Sequence, residues 1–161
     1  MFKIKKNPKI EEVMKKTLKG ETLNNALGFI AFLRESGFKT EDKYGNNFYY
    51  MSEPTCILLC FENENYPDGE WGVYNSPICE YEGIPLDEDL KEFSRENVRI
   101  CKGECGCRKW PRGGDQTVFG KKFEGVCSSV IMYQNPDAEA IEKIKKIMEH
   151  WKLIIADSKK R

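Results

Sequence analysis

Apolar residues recur at three- and four-residue steps in two stretches near the start of the chain. One stretch contains Ile10, Val13, Met14 and Leu18, and the other contains Leu23, Ala26, Leu27, Ile30 and Leu33. This spacing predicts two amphipathic helices. The first helix is expected to begin at Asn7 and Pro8 and to end at Gly20. The second is expected to begin at Thr22 and to end at Gly37, which is expected in the left-handed conformation. A helical hairpin is therefore expected.

The middle of the chain is rich in aromatic and β-branched residues, which is typical of strands. Such runs cover 46–51, 55–61 and 71–74, and residues 78–81 are a candidate fourth segment. The run 55–61 is apolar on both sides and therefore predicts a central strand that is covered on both faces. The connections are too short for crossover helices, so antiparallel pairing is expected.

The second half of the chain predicts a third helix, a long loop, a strand and a final helix. The helix covers Asp87–Arg95, and the Gly- and Cys-rich segment 99–124 has no periodicity. A strand is predicted over Val126–Tyr133, followed by a helix with Asn135 as cap and Pro136 at its first position. Together these elements predict an α+β domain with an antiparallel sheet of four or five strands and helices mainly on one face.

Length and composition are those of an ordinary globular protein. The 161 residues fit a single domain, 1–161, with 40% hydrophobic and 32% charged residues. No run approaches the ~18 consecutive apolar residues of a membrane span, and no apolar segment follows the basic start to form a secretory signal. We therefore expect a cytoplasmic protein without a membrane partner. In that reducing compartment the seven cysteines are expected as thiols or metal ligands.

Charge is balanced over the whole chain but segregated along it. The net charge is zero, so no global field attracts nucleic acid or membrane. Residues 62–96 contain eleven acidic and two basic residues, a balance of −9, and residues 99–122 contain seven basic and two acidic residues, a balance of +5. We interpret the two segments as surfaces that attract each other within one fold.

Four cysteines in the second half have a spacing that suits a metal ion. Cys101, Cys105 and Cys107 are close together in sequence, and Cys127 follows at a distance. Zinc prefers four such ligands in a tetrahedron, and the short spacings bring neighbouring thiolates together at little entropic cost. A returning fourth ligand would fasten the Cys-rich loop, 99–127, to a strand. The expected cofactor is a structural zinc ion.

Other interpretations of these cysteines remain open. Cys105 and Cys107 could act as a redox-active dithiol, because neighbouring basic residues lower thiol pKa values. The same cysteines could also be reduced thiols that pack as small hydrophobes. Cys56 and Cys60 are four residues apart on an apolar strand and are expected in the core. Cys79 is the next candidate ligand.

Two further sets of residues are candidates for binding. Basic residues surround an aromatic one in a possible nucleic-acid recognition loop that contains Arg108, Lys109, Trp110 and Arg112. The patch is short and the chain is neutral, which argues against nucleic acid as a partner. Aromatic residues on neighbouring strands form a possible small-molecule ligand face that contains Tyr49, Trp71 and Tyr74, unless the helices cover it.

No catalytic motif accompanies these candidates. The only histidine is His150, on the last predicted helix, and no phosphate-binding or dinucleotide-binding loop is present. The sequence therefore favours a non-catalytic binding or sensing module that is stabilised by structural zinc. The alternatives are a thiol-based redox protein or enzyme that uses Cys105 and Cys107, and a nucleic-acid-binding module that uses the basic Cys loop.

The last third of the chain resembles the end of small uncharacterised bacterial proteins, a domain of unknown function. The similar features are the cysteines of 101–107, the turn Phe119-Gly120-Lys121-Lys122-Phe123, Cys127 and the helix start Asn135-Pro136-Asp137. The resemblance implies that these elements belong to one module. It implies no activity.

Overall fold

The computed structural model describes residues 9–44, 47–52, 55–63, 66–76, 85–102 and 113–158. Within these ranges the chain forms four helices and seven strands. They are α1 (Ile10–Thr17), α2 (Gly20–Glu35), β1 (Lys39–Tyr44), β2 (Asn47–Ser52), β3 (Thr55–Asn63), β4 (Tyr66–Ser76), α3 (Glu88–Glu96), β5 (Val98–Ile100), β6 (Gly114–Val118), β7 (Lys121–Gln134) and α4 (Ala138–Ser158). The predicted α+β class with an antiparallel sheet is confirmed, with seven described strands instead of four or five.

All the strands belong to one sheet, in the order β1-β2-β3-β4-β7-β5, and β6 pairs with β7. Every pairing is antiparallel. Ile131 pairs with β4 on one side of β7 and with β5 on the other. Val126 pairs with Ile100 of β5 and with Gly114 of β6. Strand β6 therefore lies on the same side of β7 as β4.

The helices pack on one face of this sheet and enclose the main core. Trp71 of β4 stacks on Phe61, with 6.0 Å between ring centroids, and meets Phe29 of α2 at 6.2 Å. Tyr133 of β7 stacks on Phe93 of α3 at 5.2 Å. The buried residues of α4 belong to the same core. Burial of these large side chains is the main stabilising contribution of the helix-covered face.

The helical hairpin is confirmed, with shifted ends. The predicted apolar residues Ile10, Val13, Met14 and Leu18 are all buried. Helix α1 ends at Thr17 and α2 begins at Gly20, two residues before the predicted cap. Gly37 has φ +84°, the left-handed conformation that was expected after α2. The predicted start residues Asn7 and Pro8 lie outside the described residues.

The prediction of a long loop over 99–124 is wrong for its second half, which contains strands. Strands β6 and β7 form a hairpin there, with the two-residue turn Phe119-Gly120 at φ 47° and 77°. Positive φ at both turn residues matches the twist of the flanking strands. Arg95 of α3 supports the turn, because its Nε donates to the Phe119 carbonyl oxygen at 3.0 Å. Phenylalanine is not a typical residue for such a turn, so the sequence signal was weak.

Strand assignments differ at two other places. Strand β1 is rich in charged residues and was not predicted. It is an edge strand, where charges are tolerated because only one side pairs. Strand β4 is longer than the predicted segment 71–74. The candidate segment 78–81 lies outside the described residues.

The cap of the last helix is Asp137, and the prediction of Asn135 is wrong. Asp137 Oδ1 accepts from the Ala140 backbone N–H at 2.8 Å, and Asp137 O accepts from the Ile141 N–H at 2.9 Å. Asn135 instead donates its backbone N–H to Trp71 O at 2.6 Å. Asn135 therefore still belongs to the pairing of β7 with β4, and the helix starts later.

Replacing Asp137 with alanine is expected to lower the free energy of unfolding by about 1 kcal/mol, because the Ala140 N–H loses its acceptor. Urea denaturation followed by circular dichroism measures this difference. Asp137→Asn is the matched control, since asparagine caps as well as aspartate does. Equal losses of unfolding free energy in Asp137→Ala and Asp137→Asn would contradict the capping role of Asp137.

Candidate functional site

The face of the sheet away from the helices, called the second face below, carries a small cluster of its own. Side chains alternate along β4, so Trp71 and Val73 point to the helices and Tyr74 points to the second face. Tyr74 packs with Cys60 of β3 and Met132 of β7. Cys60 is 4% exposed and Tyr74 is 6% exposed. The side chains of Cys60 and Tyr74 are therefore buried although they lie on the face without helices.

Two of the predicted zinc ligands, Cys101 and Cys127, come from segments that meet where β5 pairs with β7. Ile100 and Val126 are directly opposite each other on β5 and β7, and Val126 belongs to the helix-covered core. Cys101 and Cys127 are the next residues of these two segments, so they lie close together along the pairing of β5 with β7. Cys127 is 2% exposed and Cys101 is half-buried.

Both ends of the connection between β5 and β6 are attached to β7 at the same point. The Cys101 N–H donates to Gly125 O at 2.7 Å. At the other end, Gly113 packs so tightly on β7 that a Cβ there would lie 2.5 Å from the carbonyl oxygens of Gly125 and Val126. The chain thus leaves and rejoins the sheet beside Cys127.

The remaining candidate ligands are not part of this geometry. Cys105, Cys107 and the alternative ligand Cys79 lie outside the described residues, as does the candidate recognition loop of Arg108, Lys109, Trp110 and Arg112. Within the described ranges, no three His, Cys, Asp or Glu side chains are grouped as metal ligands. The structure therefore brings together two of the four predicted zinc ligands.

Cys60 is buried, as predicted, but on the second face and not under the helices. Burial raises the pKa of the Cys60 thiol to about 12, and the positive charge of Arg99 opposes this only in part. The thiol is therefore neutral at pH 7. Cys56 belongs to β3, and its side chain is outside the described part of the structure.

The residues of the candidate aromatic ligand face do not all lie on one side of the sheet. Trp71 is fully buried on the helix-covered side, where it packs between Phe29 and Phe61. Tyr74 is on the second face. Tyr49 of β2 pairs with Leu58, which pairs with Tyr74, so the backbones of Tyr49 and Tyr74 lie in one row across the sheet. Trp71 and Tyr74 thus cannot line one pocket.

Sequence analysis missed Arg99 as a residue of the second face. Its guanidinium lies over the Tyr74 ring, 5.6 Å from the centroid, and Nη1 donates to Tyr74 Oη at 3.4 Å. Arg99 is the middle residue of β5, and its neighbour Val98 packs against the helix-covered core. This alternation could have placed Arg99 on the second face once residues 98–100 were recognised as a strand.

Comparison with known proteins adds no functional information. No family model matches the chain, and neither the curated proteins nor the solved structures contain a significant match to it. The resemblance of the last third to uncharacterised bacterial proteins stays a prediction. None of the helices in the described ranges has the length and apolar character needed to cross a membrane.

Proposed function

We propose that this chain is a non-catalytic binding or sensing module whose fold is stabilised by a structural zinc ion held by Cys101, Cys105, Cys107 and Cys127. The observation that supports the proposal is that Cys101 and Cys127 lie close together where the end of β5 meets β7. They come from segments that are separated in sequence, which is how a structural metal ion fastens a loop to a sheet.

The chemistry of four thiolates determines what such an ion does. A site with four cysteine ligands is closed, and no coordination position remains for a catalytic water. The ion then contributes to folding, because the metal-binding energy is available only when the four ligands are brought together. Cys101, one residue after β5, and Cys127 of β7 would supply two of the ligands, and Cys105 and Cys107 belong to the connection between the two points of attachment on β7.

The binding part of the proposal is supported by the asymmetry of the sheet. One face is used by four helices and holds the main core. The second face has a separate cluster of Cys60, Tyr74 and Met132, together with Arg99. Cys60 and Tyr74 are buried, so the half-buried Arg99 and Met132 are the groups of this cluster that a binding partner can contact. The single histidine, His150, is on α4, which packs on the other side of the sheet.

Removal of zinc tests the proposal directly. A strong zinc chelator should lower the midpoint of thermal unfolding by about 6–12 °C, which at this chain length corresponds to about 3 kcal/mol. Addition of zinc should restore the original midpoint, and addition of calcium, which prefers oxygen ligands, should not. An unchanged midpoint in chelator would contradict the metal site. Rapid alkylation of Cys105 and Cys107 in the untreated protein would favour a redox role.

A further inference from the structure

We draw no further inference here: the strongest candidate, the buried indole N–H of Trp71 in the core between β4 and α2, has no hydrogen-bond partner among the described residues, but these residues show no cavity beside it in which a ligand could bind.

Discussion

Replacing Gly113 with alanine is expected to lower the free energy of unfolding by at least about 2–4 kcal/mol. Gly113 has φ +69°, which is costly for alanine. In addition, the new Cβ would lie 2.5 Å from two backbone oxygens, Gly125 O and Val126 O. These atoms belong to β7, the strand that pairs with β4, β5 and β6. They cannot move without disturbing that pairing.

Gly114 and Gly120 provide matched controls for the Gly113→Ala variant. Gly114→Ala adds a Cβ with nothing within 4 Å and without positive φ, so the change should be below about 1 kcal/mol. Gly120→Ala has an unfavourable φ of +77° but open space, so it should show the backbone cost alone, about 1–2 kcal/mol. Urea denaturation ranks the three variants. Equal stability of Gly113→Ala and Gly114→Ala would mean that the contact with β7 is absent.

Replacing Cys127 with serine is expected to remove zinc and stability together. Serine is a poor zinc ligand, and three remaining thiolates bind the ion far more weakly. The expected loss is at least about 3 kcal/mol, because the metal-binding energy contributes to folding. Cys101→Ser should behave in the same way, since both cysteines lie beside the points where the loop joins β7. Zinc content and the thermal midpoint are measured on each variant.

Cys60→Ser is the control that separates a ligand from a buried thiol. Cys60 is 4% exposed and lies on the second face, so a serine hydroxyl there should cost stability through burial of a polar group. Its zinc content should stay that of the original chain. Zinc loss in Cys60→Ser equal to that in Cys127→Ser would contradict the division between the two kinds of cysteine.

The helices and the central strands were predictable because their signals are local. The three- and four-residue spacing from Ile10 to Leu18 matches the buried face of α1. The apolar run of β3 matches a strand that is paired on both sides and contributes to clusters on both faces. In these segments hydrophobic periodicity and burial indicate the same structure, so the pattern was sufficient.

The hairpin of β6 and β7 and the cap of α4 were not predictable in the same way. Gly125 has φ +64° next to a register shift between β6 and β7, and such an irregularity interrupts the alternation that reveals a strand. The Phe119-Gly120 turn requires positive φ at a phenylalanine. Asn135 precedes Pro136 like a cap, but its backbone is used in pairing with Trp71. Each of these outcomes depends on contacts distant in sequence.

The residue types of the candidate site could be predicted from the sequence, but the positions of these residues in the fold could not. The spacing of Cys101 and Cys127 in sequence indicates a shared ion, but only the register of Ile100 with Val126 indicates that they lie close together. Trp71 and Tyr74 are three residues apart on one strand, so alternation alone separates them. Arg99 was interpreted as part of a loop, and its position over Tyr74 follows from the pairing of β5 with β7.

Metal content, paired with a count of reactive thiols in the native state, is the most direct test of the zinc-stabilised module. The protein is purified without chelator, and zinc is measured per chain together with the rate at which the seven cysteines react with an alkylating reagent. The account predicts one zinc per chain and protection of Cys101, Cys105, Cys107 and Cys127. Absence of metal, with fast reaction at Cys105 and Cys107, would contradict it.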